Sequence, residues 1–126
     1  MLKFMEGLPK SVLAVEAAGK VTHEDYKTTL IPKAESMMEK GPISMLYVIG
    51  KECTGFEIRA LRDDGVFGLR HLRDFGRIAV VTDHAWLRFM VGMLKLFFHG
   101  DVRLYSLAEL PSAKSWISIT NAAPPR

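Results

Sequence analysis

The chain has 126 residues, of which 48% are hydrophobic and 25% are charged, and its formal net charge is +3. This length predicts one domain with a substantial core and excludes a division into two domains. The positive charge is small and spread along the sequence, which argues against nucleic acid as a partner. A single cysteine, Cys53, excludes an internal disulfide and a thiolate-rich zinc site.

The first part of the chain predicts a β-hairpin followed by an amphipathic helix. Short apolar runs at 2–6 and 12–18 flank a turn that contains glycine and proline, and Gly19 is expected to end the second strand. Thr22 is then a suitable N-cap for a helix with an apolar stripe. Pro32 lies inside this helix, so a kink is expected there.

The middle of the chain predicts a buried strand and a second helix. Residues 43–49 are almost continuously apolar, which indicates a strand that is buried on both faces. Residues 51–55 are polar and predict a loop before the helix. On that helix, Ile58 and its apolar neighbours are expected to face the sheet. Two glycines on the same side, Gly65 and Gly68, are expected to permit close approach to the sheet or, as the alternative, to another chain.

The stretch from Ala85 to His99 has more apolar surface than a helix packed on a sheet requires. It lies between strand patterns at 78–82 and 102–105, and Asp83 is expected to be the N-cap of the helix. Such a helix needs an apolar face of about 100°, yet only one narrow stripe here is polar. The surplus must contact a neighbouring helix, a second subunit, an apolar ligand or a membrane surface. The side chains predicted to make this contact are Trp86, Phe89, Met90, Met93, Leu94 and Phe97.

The last part of the chain predicts a strand, a helix and a tail. Ser106 and Glu109 form an S-x-x-E capping box for a helix that ends near Ile117. Residues 119–126 are expected to be disordered, which leaves a single domain over residues 1–118. The element order is β-β-α-β-α-β-α-β-α. It predicts an α/β fold with a mostly parallel sheet, right-handed βα crossovers and an antiparallel edge strand.

Several motifs in this order resemble those of one protein family. They are Ile31-Pro32, LYVIG with the GFEI that follows it, DDGVFGLRHLRDFGRIAVVTD with Trp86 soon after, and DVRLYSLAEL. From about residue 2 to 117, the chain is similar to the bacterial SpoIIAA-like family of small STAS-type domains. The resemblance implies the fold of that family, a single βα layer related to the CRAL-TRIO lipid-transfer domains.

The resemblance also implies a candidate phosphorylation site. STAS proteins that antagonise anti-sigma factors carry a hydroxyl acceptor in the loop after a central strand, within a D-S-S-G type motif. This chain has Glu52-Cys53-Thr54-Gly55 at that place, so Thr54 takes the position of the acceptor. A phosphate at the start of the next helix would be stabilised by free backbone N–H groups. The alternative is that Thr54 is an ordinary capping or loop hydroxyl.

The reactive side chains do not predict an enzyme. Asp83 and His84 follow one strand and Cys53 follows its neighbour, at the end of a parallel sheet where ligands bind. However, a Cys53–His84 pair would lack the third group that orients a catalytic pair. The four histidines have no metal-binding spacing, so neither a metal nor another cofactor is expected. Without an export signal or an apolar run of about 18 residues, the protein is expected to be cytoplasmic.

Three hypotheses for function follow. The first is a non-enzymatic domain that binds an apolar or lipid-like small molecule and associates peripherally with the anionic inner face of the membrane through helix 85–99. The second is a STAS-type regulatory module with a protein partner and a phospho-acceptor at Thr54. The third is a homodimer that buries the apolar helix. The first is preferred, because methionine and aromatic side chains suit an acyl chain or a headgroup boundary.

Overall fold

The computed structural model contains one five-stranded sheet with helices on both faces. It describes residues 1–71, 73–96 and 101–119, apart from the side chains of Leu69 and Leu94. The strands are β1 (Leu2–Phe4), β2 (Val12–Val21), β3 (Ile43–Phe56), β4 (Phe75–Thr82) and β5 (Asp101–Tyr105). Their order in the sheet is their order in the chain. β1 is antiparallel to β2, and β2 to β5 are parallel neighbours. The predicted α/β fold with an antiparallel edge strand is therefore confirmed.

Helical segments connect the parallel strands. Between β2 and β3 lie α1 (His23–Asp25), a π-helical segment (Tyr26–Leu30) and α2 (Ile31–Met38). α3 (Ile58–Arg70) follows β3, and α4 (Ala85–Leu94) follows β4. A 3₁₀ turn (Leu107–Glu109) and α5 (Leu110–Ile117) follow β5.

Two clusters of core side chains show which face of the sheet each helix covers. The π-helical segment, α2, α3 and α4 pack with one set of strand residues, which includes Val15 and Tyr47. α5 packs with the opposite set, which includes Leu46 and Val81. Consecutive residues on a strand point to opposite faces, so Leu46 and Tyr47 belong to different clusters. Residues 43–49 are thus buried from both sides, as the sequence predicts.

The helical connection between β2 and β3 changes geometry just before Pro32. Thr22 caps α1 as predicted: its Oγ1 accepts a hydrogen bond from the N–H of Asp25 at 3.1 Å. The N–H of Ile31 donates to the carbonyl of Tyr26, five residues earlier, which is π-helical geometry. Pro32 has no N–H to donate and its ring crowds the preceding turn. A π-helical turn therefore lies where the sequence predicts a kink.

β2 and β3 both extend further than the sequence predicts. β2 continues through Gly19, whose φ of 60° suits glycine, instead of ending there. Residues 51–55, predicted to be a loop, belong to β3 and pair with the end of β2. The register shifts around Gly19, and such irregularities disturb the alternation of side chains by which strands are predicted. β3 pairs with β4 only as far as Ile49 and Thr82, so its last residues extend beyond β4.

α3 turns a different face to the sheet from the predicted one. Ile58 is 83% exposed, whereas Ala60 and Phe67 are buried. A Cβ atom added at Gly65 or Gly68 would meet nothing within 4 Å, so these glycines do not mark a close approach to the sheet. The prediction was wrong because the inward stripe of α3 also contains polar side chains, which a purely apolar pattern overlooks.

The C-terminal helix agrees with the sequence prediction. Glu109 Oε1 accepts a hydrogen bond from the N–H of Ser106 at 2.8 Å, and the capping box is complete. Trp116 is buried against the sheet. In the predicted tail, the N–H of Ile119 still donates to the carbonyl of Trp116 at 3.3 Å. Residues 120–126 lie outside the described residues.

Candidate functional site

α4 presents most of its apolar side chains to solvent. Leu87 is buried, and Val91 packs against the edge of the core. The exposed fractions are 46% for Trp86, 70% for Phe89, 42% for Met90, 49% for Met93 and, in the turn that follows, 77% for Leu96. These five side chains are called the α4 surface below. Four of the six predicted contact residues belong to it, whereas Phe97 and the side chain of Leu94 lie outside the described part of the chain.

The position of α4 over the sheet explains this exposure. α4 contacts β4 and β5, at the edge of the sheet. Leu87 and Val91, four residues apart, occupy the single stripe that faces the strands. The side chains of the α4 surface project sideways and outwards. The described helix ends at Leu94 with Lys95 as its C-cap, before the predicted end at His99, and residues 97–100 are outside the described ranges.

The start of α4 also differs from the prediction. His84 is the N-cap, and Asp83 is not. Asp83 Oδ1 instead accepts the N–H of Leu107 at 3.0 Å, which ties the end of β4 to the 3₁₀ turn. Arg88 Nη1 donates a hydrogen bond to the carbonyl of Thr82 at 3.0 Å, so this guanidinium binds the last carbonyl group of β4. Because the partner of Asp83 is distant in sequence, local capping rules could not identify it.

The outward stripe of α3 adds positive charge to the same side of the molecule. The exposed residues Arg59, Arg62, Val66 and Arg70 follow one another at helical spacing. α3 and α4 pack on the same face of the sheet, so their outward stripes point away from it in the same direction. The rings of Phe56, before α3, and Trp86 lie edge to face at 6.3 Å between centroids. Apolar and cationic surfaces therefore face solvent on one side of the domain.

The inward stripe of α3 contains a hydrogen-bonded group that sequence reasoning missed. The hydroxyl of Tyr26 donates to Asp64 Oδ1 at 3.0 Å and lies 2.9 Å from the hydroxyl of Tyr47. Burial raises the pKa of Tyr26 well above 10. Burial also raises the pKa of Asp64, and the hydrogen bond from Tyr26 only partly opposes this shift. The part of the Asp64 carboxyl that faces Tyr26 is therefore shielded from water, although the residue as a whole is exposed.

Further polar contacts join α1 to α3. Glu57 Oε1 accepts the backbone N–H of His23 at 2.8 Å, and the ring of His23 contacts the carboxylate of Asp63. Together with Tyr26 and Asp64, these groups couple the position of α3 to that of the π-helical segment. A buried tyrosine hydroxyl needs a partner. Tyr47 in the apolar run 43–49 and Tyr26 on the apolar stripe of the helix after Thr22 were therefore the signal that could have revealed this group.

Thr54 is exposed on the part of β3 that extends beyond β4. It lies within a strand, and the N-cap of α3 is Glu57. The prediction that Thr54 occupies a helix N-terminus is therefore wrong, as is its alternative, a capping or loop hydroxyl. The neighbouring Cys53 is buried, with its Sγ 3.9 Å from the carbonyl oxygen of Gly55. Strand alternation therefore turns the cysteine inwards and the threonine outwards.

Neither a metal centre nor a membrane-spanning helix is found in the described part of the chain. Within residues 1–71, 73–96 and 101–119, no three His, Cys, Asp or Glu side chains are grouped to hold a metal ion. In the same ranges, no helix combines the length and the apolar character that crossing a membrane requires.

The sheet order, the four parallel strands and the single antiparallel edge define a small STAS-type α/β domain. The chain belongs to the SpoIIAA-like family, whose model matches residues 12–118. It is similar to the crystal structure of an uncharacterized DUF3478-family protein from Shewanella loihica with a SpoIIAA-like fold. The TM-score is 0.70 at 26% identity, covering 93% of this chain and 92% of that one. No curated protein matches the chain. The resemblance seen in the motifs is thus confirmed.

Proposed function

We propose that the protein is a non-enzymatic binding domain that takes a lipid-like molecule at the α4 surface and associates peripherally with anionic membranes. The observation that carries this proposal is the exposure of five large apolar side chains on one short helix and its following turn. Single exposed apolar residues are ordinary, but contiguous groups of this kind mark surfaces that meet a partner, a ligand or a membrane.

The residue types of the α4 surface suit an acyl chain. Phe89 and Leu96 are the most exposed and would enter the apolar phase first. Met90 and Met93 have flexible, unbranched side chains that adapt to an irregular ligand. Trp86 has an amphipathic ring of the kind enriched at membrane boundaries. An interfacial helix of this type lies in the plane of the membrane, with its apolar side roughly 5–10 Å deep.

The arginines of α3 supply the electrostatic part of the proposed contact. Arg59, Arg62 and Arg70 are exposed on the side of the sheet that α4 also covers, and Lys95 is exposed at the end of α4. Each basic side chain near an anionic leaflet contributes about 1 kcal/mol to binding. Salt screens this attraction over about 8–10 Å, so the association should be reversible and salt-sensitive.

Vesicle flotation tests the apolar contribution. The protein should float with vesicles of phosphatidylcholine and phosphatidylglycerol. Phe89→Ser/Leu96→Ser should lower the bound fraction at least tenfold, since burying each such side chain is worth about 1.5–3 kcal/mol. Ile119→Ser, a matched control after α5, removes an exposed apolar side chain and should leave binding unchanged. Equal flotation of the double variant and the wild type would refute the proposal.

The same assay tests the electrostatic contribution. Arg59→Gln/Arg62→Gln should weaken binding to the anionic vesicles roughly thirtyfold, because two attractions of about 1 kcal/mol each are lost. Binding to vesicles of phosphatidylcholine alone should be weak and unchanged. Lys114→Gln on α5, which covers the opposite face of the sheet, is the control for loss of one positive charge. Anionic binding that survives the double substitution at low salt contradicts this role for α3.

A STAS-type regulatory module is the second candidate function. It is supported by the exposed hydroxyl of Thr54 on the extended end of β3, where a kinase and a partner protein could reach it. Phosphorylation would add a dianionic group to this edge. Thr54→Glu should then change the capture of a kinase-like partner relative to Thr54→Ala. Identical capture by both variants and the wild type would count against this function.

A homodimer through the α4 surface is the third candidate. Sedimentation would then show a concentration-dependent dimer that Phe89→Ser/Leu96→Ser dissociates, and thermal stability would rise with protein concentration. A monomer at all concentrations would exclude it.

A further inference from the structure

A cleft of about 610 Å³ lies between the β1–β2 hairpin and α2. Its lining comes from residues 4–14 of the hairpin and from residues 33–43 of α2 and the turn into β3. Pockets that hold small molecules usually measure roughly 300–1,000 Å³. The cleft therefore has the size of a ligand site, and it shares no residue with the α4 surface.

The walls of this cleft are partly apolar and accessible. Phe4, Met5, Leu8, Met37 and Ile43 contribute apolar side chains to the lining. Phe4 is 42% exposed, and Met5, Leu8 and Met37 are half-buried. A ligand lying against these side chains would remove apolar surface from water, which favours binding.

The charged part of the lining is mainly cationic. Lys10, Lys33 and Lys40 come from three different places in the chain, and among the described lining residues they face one carboxylate, that of Glu6. All three lysines are exposed. The ion pairs found among the described residues include none of them. The Nζ of Lys33 lies 6.0 Å from the ring centroid of Phe4, so one ammonium group stands directly beside the apolar wall.

We propose that this cleft is a second binding site, which takes a single-chain fatty carboxylate. The hydrocarbon chain would lie against Phe4 and Met37, which belong to the side of the sheet that α2 covers, and the carboxylate would face the lysines. A neutral apolar molecule would use only the walls, and a small hydrophilic anion would use only the lysines. The ratio of three lysines to one carboxylate in the lining disfavours cationic amphiphiles, because like charges in one site repel.

The helix dipole does not account for this group of lysines. Lys40 follows the end of α2, where the negative end of a helix favours a cation. Lys10 lies in the hairpin turn and Lys33 lies near the start of α2, where the dipole gives no such preference. The dipole therefore accounts for Lys40 alone.

Calorimetric titration of the full chain with dodecanoate, kept below its micelle concentration, tests the site. In Phe89→Ser/Leu96→Ser, which lacks the proposed α4 site, one molecule should bind per chain. Decanoate should bind about three- to fifteenfold more weakly, since two methylene groups fewer leave water. Dodecyltrimethylammonium should not bind measurably. Equal binding of the cationic and anionic amphiphiles would overturn the proposal.

Charge-matched variants locate the site. Lys10→Gln/Lys33→Gln/Lys40→Gln should weaken dodecanoate binding at least tenfold. Lys20→Gln/Lys27→Gln/Lys51→Gln changes the net charge equally at exposed lysines outside the cleft and should keep wild-type affinity. Equal loss of affinity in the two variants would mean that net charge, rather than this cleft, attracts the ligand, and would overturn the assignment.

A steric variant and an α4 variant complete the test. Ser36 is exposed and lines the cleft, so Ser36→Trp should fill part of it and weaken binding without altering the core. Phe89→Ser/Leu96→Ser should keep wild-type affinity for dodecanoate at the cleft, seen as amide chemical shifts at residues 4–14 and 33–43, while failing to float with vesicles. Amide chemical shifts that move in α4, and not at residues 4–14 and 33–43, would refute the cleft. Failure of the cleft and failure of the membrane proposal are therefore distinguishable.

Discussion

α4 and α5 are short helices on opposite faces of one sheet, but the tryptophan of α5 is buried whereas the tryptophan of α4 is exposed. Trp116 of α5 is 8% exposed, whereas Trp86 of α4 is 46% exposed. The guanidinium groups of Arg77 and Arg103 lie 5.5 and 4.5 Å from the ring centroid of Trp116 and cover it further. α5 thus finds all its partners within the domain, and α4 does not.

The difference follows from where each helix lies on the sheet. α5 contacts β3 and β4, in the middle of the sheet, whereas α4 contacts β4 and the edge strand β5. A helix over the middle of a sheet has strands beneath both of its flanks. A helix near an edge has strands beneath only one flank, so the apolar side chains on its other flank stay exposed to solvent. Similar residue types therefore build a core in α5 and a surface in α4.

The largest effect expected from this comparison is that of Trp116→Ala. Removing a buried tryptophan should lower the free energy of unfolding by about 3–5 kcal/mol, because a cavity remains between α5 and the sheet. Urea unfolding followed by circular dichroism measures it. A loss below about 1 kcal/mol would show that α5 contributes little to the core and would remove the contrast between the two helices.

Tyr26→Phe should have the next largest effect. It removes a buried hydroxyl that bonds to Asp64 and lies beside the hydroxyl of Tyr47, so the free energy of unfolding should fall by about 1–3 kcal/mol. Tyr105→Phe is the control, since the described residues offer no hydrogen bond to that hydroxyl. A loss no greater than that of Tyr105→Phe would mean that the π-helical segment and α3 are not coupled through these groups.

Asp64→Asn should change how stability depends on pH. Because burial raises the pKa of Asp64 above its ordinary value of 3.8, the folded state binds this proton more tightly than the unfolded state does. The resulting stabilisation is complete below about pH 3.8 and is lost as pH rises through the raised pKa. The variant should therefore gain stability relative to the wild type as pH increases from about 4 towards neutrality. Unfolding curves whose difference does not vary with pH would contradict the assignment.

Phe89→Ala should have the smallest effect on stability. Its side chain is 70% exposed, so the free energy of unfolding should change by no more than about 0.5 kcal/mol. Vesicle binding should nevertheless fall. A loss of more than about 1.5 kcal/mol would show that Phe89 packs within the domain and would remove it from the α4 surface.

Local features of the fold could be predicted from the sequence. The capping residues Thr22 and Ser106 satisfy backbone N–H groups within three positions, so their role can be recognised from adjacent residues. The buried strand at 43–49 is also evident, because a continuous apolar run of this length is typical of a strand covered on both faces.

Features that depend on distant partners could not be predicted in this way. Residues 51–55 are strand only because β2 continues far enough to pair with them. Asp83 does not cap α4, because its carboxylate accepts a hydrogen bond from the backbone N–H of Leu107 instead. The inward face of α3 contains Asp64 because Tyr26 supplies a hydrogen bond across 38 positions of sequence.

The sequence by itself determined the order of the elements, the family and the surplus of apolar residues in the region of α4. Only the tertiary structure decided that this surplus is exposed on the side of the sheet that carries the arginines of α3. Burial depends on where a helix lies relative to the edge of a sheet, and that position results from strand pairing between segments far apart in the chain.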